Sequence, residues 1–104
     1  MGSNMSIAKE MIEKALEKKP NDPYIIDSMA WYYFKTEAYP EALSLFEYAI
    51  NMMPYDPIIN EHYGDALWMM GKSTEARFHW GKALELEPEE DTIEDIKIKI
   101  LKGI

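Results

Sequence analysis

The apolar positions of this chain recur with two periods, one short enough for a helix and one of 34 residues. When Pro23 is set over Pro57, Ile25 falls on Ile59, Glu41 on Glu75, Ala42 on Ala76, Ala49 on Ala83 and Pro54 on Pro88. Bulky positions agree in kind at Met29/Tyr63, Tyr33/Leu67, Phe34/Trp68, Phe46/Trp80 and Ile50/Leu84, and Ala30 meets Gly64. The agreement extends upstream, where Ala8, Ala15, Leu16 and Pro20 fall on Ala42, Ala49, Ile50 and Pro54. Matches confined to turns and to small or apolar positions are what packing between repeated units would impose.

Each unit predicts two helices. Asp22-Pro23 and Asp56-Pro57 read as helix starts, because the carboxylate accepts from free backbone N–H groups and proline suits the first helical position. A second helix starts near Pro40; Gly71 ends the first helix of the later unit and Ser73 caps the next. Pro20, Pro54 and Pro88 stop the second helices. After 90, "DTIE" at 91–94 fits a capping box of Asp91 with Glu94. Ile93, Ile96, Ile100, Leu101 and Ile104 follow as one helical stripe, with Glu94, Asp95, Lys97, Lys99 and Lys102 elsewhere. Such a helix would cover the open end of a stack; its mixed charges argue against a membrane-surface helix.

A 34-residue helix–turn–helix with small residues at repeat positions 8, 20 and 27 and proline at 32 resembles the tetratricopeptide repeat (TPR) family. With Pro23 and Pro57 at position 1, those residues are Ala30/Gly64, Ala42/Ala76, Ala49/Ala83 and Pro54/Pro88; position 24 is Phe46/Trp80 and position 11 is Tyr33/Leu67. Position 4 departs with Ile26 and Asn60, and position 15 is Glu37 in one unit and Gly71 in the other. The resemblance implies an all-α fold, a right-handed superhelical stack of antiparallel hairpins (a TPR-like α-solenoid) with about six helices. The organisation expected is a cloning scar at 1–4, the second helix of a truncated repeat at 5–20, repeats at 21–56 and 57–90, and a capping helix at 91–104. The stretch 59–80 is also similar to the closing repeats of longer bacterial TPR proteins.

The family binds proteins in a groove lined by first helices. At 100° per residue, positions 4, 7, 8 and 11 share the packing face. Positions 2, 5, 9, 12 and 13 share the opposite one, which predicts a partner-binding concave face of Tyr24, Asp27, Trp31, Phe34, Lys35, Ile58, Glu61, Asp65, Trp68 and Met69. Aromatic groups left bare mark contact surfaces, and three acids among them suit a basic or amphipathic peptide segment. Phe34 and Trp68 read equally well as packing residues, and Trp31 as the more exposed. Lysine, arginine and asparagine at positions 2, 5, 6, 9 and 13 grip a partner's C-terminal carboxylates in some members. Here Asp27, Glu61, Ser28, His62, Trp31 and Asp65 stand at positions 5, 6 and 9 and only Lys35 has that sign, so no such clamp is expected.

Composition narrows the classes. The 104 residues hold 47 % hydrophobic side chains, enough for one small packed domain, and no apolar run of membrane-spanning length. The net charge of −8 opposes nucleic acid. With no cysteine there is no disulfide or thiolate site, and this chooses no compartment between cytoplasm and periplasm. His62 and His79 lie 17 apart without metal-binding spacing, and neither a GxSxG turn nor a phosphate loop is present. Neither catalysis, a metal nor a cofactor is expected. Two alternatives stand beside the groove: self-association through an apolar edge at Met5, Ile12 and Leu16, giving a homodimer, and an accessory role to an enzyme encoded upstream.

Overall fold

The structure, a computed structural model, describes residues 10, 11, 13–15, 17, 18 and 21–104. The first seven of these are helical. Five helices follow: α1 (Pro23–Lys35), α2 (Tyr39–Met52), α3 (Pro57–Met69), α4 (Ser73–Glu85) and α5 (Glu90–Lys102). The expected scar, the edge residues Met5, Ile12 and Leu16, and the matches at Ala8 and Pro20 lie outside the described residues.

The prolines phase the helices as the sequence predicts. Asp22 Oδ1 accepts from the backbone N–H groups of Tyr24 and Ile25 at 2.9 and 3.3 Å, and Asp56 Oδ1 accepts from that of Ile59 at 3.0 Å, with Pro23 and Pro57 opening the helices. Two caps differ. Ser73 is the first residue of α4 rather than its cap, and Lys72 precedes it with no side-chain hydrogen bond. No box forms at Asp91 and Glu94: α5 begins at Glu90, immediately after Glu89, and the Thr92 hydroxyl donates to the Glu89 carbonyl at 2.8 Å. Glu90 and Asp91 thus sit in the first turn, where acids complement the helix dipole without capping it. Between α1 and α2 the chain turns through Glu37 at φ 65, the left-handed conformation that Gly71 takes at φ 80 between α3 and α4.

α1 pairs with α2 and α3 with α4 as hairpins, α3 lies on α2, and α5 lies on α4 as α3 does on α2. The small residues make these approaches possible. Ala30, Ala42, Ala49, Ala76 and Ala83 are fully buried. Ala49 packs with Ile26, Ile50 and Ile59; Ala30 and Ala42 with Phe46 and Ala66; Ala76 and Ala83 with Leu67, Trp80 and Ile96. At Gly64 a Cβ would stand 2.6 Å from Cδ1 and Nε1 of Trp80, so the indole needs a bare backbone there. The tail stripe is only partly as expected: Ile96 is buried and Ile93 and Ile100 half-buried, but Leu101 and Ile104 are 77 % and 60 % exposed. The inward side of α5 meets α4 and, through Lys99 and Gly103, α3, while Leu101 and Ile104 lie beyond these contacts. No described helix is long and apolar enough to cross a membrane.

Candidate peptide-binding face

On α1 the face gathers around one indole. Trp31 is half-buried and stacks on Phe34 with ring centroids 4.9 Å apart and planes 7° apart. His62, from α3, lies 4.3 Å from the same indole at 20°, so three near-parallel rings form a ladder across two helices. The ladder follows from spacing: Trp31 and Phe34 are three residues apart on one helix, and α3 brings His62 alongside. The Lys35 ammonium is 5.2 Å from the Trp31 ring, within cation–π reach. Tyr39 meets Phe34 edge-on at 5.3 Å.

The acids are placed otherwise than the sequence suggests. Asp27 is 8 % exposed, and both its oxygens lie 3.1 Å from Nδ1 of His62. Asp65 is 3 % exposed; it accepts from the Trp80 indole N–H at 3.0 Å and from Lys99 Nζ at 3.0 and 3.1 Å. Glu61 accepts from the same ammonium at 2.7 Å. All three expected free acids are therefore partnered inside the protein, each by a basic side chain carried on the next layer. A helical wheel shows only which residues share a face; it does not show what the following layer sets against them. Lys99, expected on the polar side of α5, is the group that turns inward.

These pairings shift titration. Burial pushes the Asp65 carboxyl above its ordinary value, outweighing Lys99 and the Trp80 donor, which pull it down. Burial alone would lower Lys99, but the carboxylates of Asp65 and Glu61 overcome it and raise its pKa.

The remaining predicted residues divide between these clusters and the rim. Trp68 sits on the cap side, 5.7 Å from Trp80, beneath the Arg77 guanidinium at 5.1 Å and against Gly103. Gly103 closes α5 at φ 80, and a Cβ on it would collide with the Trp68 ring. Arg77 is fixed in turn by donating from Nε to the Ile100 carbonyl at 2.9 Å. Tyr24 is exposed, its hydroxyl donating to Asp56 Oδ2 at 2.9 Å. Ile58, Met69 and Lys35 are exposed. The structure thus unites Asp27, Trp31, Phe34 and Lys35 with His62, Glu61 and Asp65 with Lys99, and Trp68 with Trp80, Arg77 and Gly103; Tyr24, Ile58 and Met69 join none of these clusters. His62, Lys99, Arg77 and Gly103 are absent from the sequence-derived face. The sequence reading left Lys99 off the apolar stripe, and its place three residues after Ile96 and next to Ile100 is the one signal that could have found it. Among the described residues no three His, Cys, Asp or Glu converge as metal ligands.

No protein-family model matches the chain, and no curated protein matches it. Its fold does match solved structures. The first TPR of Spaghetti (RPAP3), solved bound to the HSP90 peptide SRMEEVD, superposes with a TM-score of 0.76 at 20 % identity, over 95 % of this chain and 82 % of that one. The chain has the tetratricopeptide-repeat fold: all-α, with stacked helix hairpins and a terminal helix on the last of them.

Proposed function

We propose that this chain is a protein-interaction module that docks an extended or amphipathic segment of a partner protein, bearing Lys or Arg, in the groove centred on Trp31. The observation that carries this reading is the half-buried Trp31–Phe34–His62 ladder. It is a preorganised aromatic surface with its rotamers already fixed, so little side-chain entropy remains to be lost on binding. A neighbour of the same fold was solved holding a peptide, which supports a peptide as the kind of ligand.

That neighbour's peptide ends in Glu-Glu-Val-Asp. At the corresponding first-helix positions this chain carries Asp27, Glu61 and Asp65, and Lys35 as the lone predicted cation, so an acidic terminus is not its ligand. Because those acids are paired internally, preference for a basic segment rests on the field of the net charge of −8 more than on direct ion pairs.

The test is selection of peptides from a random displayed library, followed by affinity measurement with Trp31→Ala. The expected result is enrichment of basic amphipathic sequences that bind the variant roughly tenfold or more weakly, the scale of a tryptophan hot spot, with circular dichroism unchanged. SRMEEVD serves as the negative control. Selected peptides that bind Trp31→Ala as tightly as the parent remove the groove from this reading.

A further inference from the structure

A second site lies away from the groove, where the turn between α2 and α3 meets α4. A cleft of about 320 Å³ has Pro54, Tyr55, Asn60, Phe78, His79 and Lys82 in its lining. Tyr55 and Phe78 are among the most exposed large side chains of the protein, at 72 % and 65 %. Lys82 reaches over Tyr55, its Nζ 5.5 Å from the ring centroid. Phe78 stands at 90° to the His79 ring at 5.1 Å.

The hydrogen bonds fix which nitrogen of His79 carries its proton. Asn60 Nδ2 donates to the carbonyls of Pro54 and Asp56 at 3.1 and 2.9 Å, which uses both of its hydrogens. The other end of the amide, Oδ1, lies 3.0 Å from His79 Nδ1 and can only accept, so Nδ1 bears the hydrogen. In the neutral ring the proton is then absent from Nε2, whose lone pair is an acceptor. No buried side-chain nitrogen among the described residues lacks a partner, and Nε2 makes no protein hydrogen bond, so it meets solvent. Burial is the main influence holding His79 below its ordinary pKa, with Lys82 acting the same way and Glu75 opposing. The ring is neutral near neutral pH.

The cleft therefore offers an acceptor and a cationic donor, one helical turn apart on α4, between aromatic walls. A carboxylate or phosphate would meet the Nε2 lone pair, and an ammonium would meet Lys82. An aliphatic hydroxyl would leave the rings uncovered. A phenol matches each feature: its O–H donates to Nε2, its oxygen accepts from Lys82, and its ring lies against Tyr55 and Phe78. We propose that this cleft is a recognition site for an unmodified tyrosine side chain of a partner protein, distinct from the Trp31 groove.

The test uses the described protein and four amides: N-acetyl-tyrosinamide, its O-methyl ether, its phosphate monoester and N-acetyl-phenylalaninamide, each titrated near neutral pH while backbone and histidine resonances are followed. The expected result is saturable shifts at Tyr55, Phe78, His79 and Lys82 with N-acetyl-tyrosinamide. The ether and the phenylalanine amide should bind about fivefold or more weakly for want of the donated hydrogen bond. Phe78→Ala, which removes an exposed ring, and Lys82→Met should each weaken the tyrosine amide while leaving the melting temperature in place. Equal binding of the ether, tighter binding of the phosphate ester, or no saturable shift at these residues overturns the assignment.

Discussion

At the scale of single residues, the strongest constraint is a hydrogen-bonded indole. Trp80 is fully buried, its N–H is held by Asp65, and its ring lies over Gly64. Gly64→Ala places a methyl group 2.6 Å from an indole that cannot retreat without breaking that bond, and 3.1 Å from the Ala76 carbonyl. The expected loss is about 1–3 kcal/mol, read as a fall in melting temperature of roughly 4–8 °C per kcal/mol for a domain of this size. Lys99 makes the complementary case. Lys99→Met leaves Asp65 buried without its cation, which costs about 3 kcal/mol, the low end for a broken buried pair because Lys99 keeps 22 % of its side chain exposed. The pH dependence has a definite sign. Lys99 is raised in the folded state, so its contribution is complete below its ordinary 10.5 and is lost as pH rises through the elevated value. Urea unfolding of parent and variant should therefore give a stability gap that is constant around pH 9 and narrows above 10.5; a gap that widens there contradicts the pairing.

At the scale of elements, α5 is what makes the second repeat differ from the first. It takes the place that a following first helix would hold, seals Trp80 with Ile96, covers Trp68 with Gly103 and delivers Lys99 to Glu61 and Asp65. Removing residues 90–104 should expose Trp68 and leave Asp65 unpaired. The truncated chain is expected to melt lower and to self-associate with concentration in sedimentation velocity; a monomer with the parent's melting temperature would show that α5 does not close the stack. The helix positions were legible because Asp22-Pro23, Asp56-Pro57 and the buried alanines act locally or by spacing. The fate of the acids was not. Asp65 and Lys99 are 34 residues apart, and a wheel drawn for α3 alone shows Asp65 as outward. The same holds for Asp27, whose partner His62 lies on another helix. That Trp31 shares a helix face with Asp27 and Phe34 was legible by register, while its stacking on His62 depended on the layer offset between α1 and α3, which no single-helix pattern contains.

At the scale of the whole molecule, charge and shape act separately. Internal pairing of Asp27, Glu61 and Asp65 leaves no predicted acid fully free on the face, yet the chain still carries −8. A basic segment should thus be steered at long range and held at short range by the aromatic ladder. The association rate of a selected basic peptide is expected to fall steeply with added salt while its dissociation rate stays nearly constant, in stopped-flow measurements. A dissociation rate that rises in parallel would instead indicate direct ion pairs in the bound state.

The three indoles occupy three settings, the last two in ring contact: Trp31 on the ladder, Trp68 under the terminal helix and Trp80 in the sealed interior. The protein consequently carries its own set of fluorophores, one per structural event. Binding in the proposed groove would perturb the first, fraying of the last helix the second, and collapse of the second hairpin the third. Variants retaining one indole at a time would let emission wavelength and quenching date these events in order, with no dye attached.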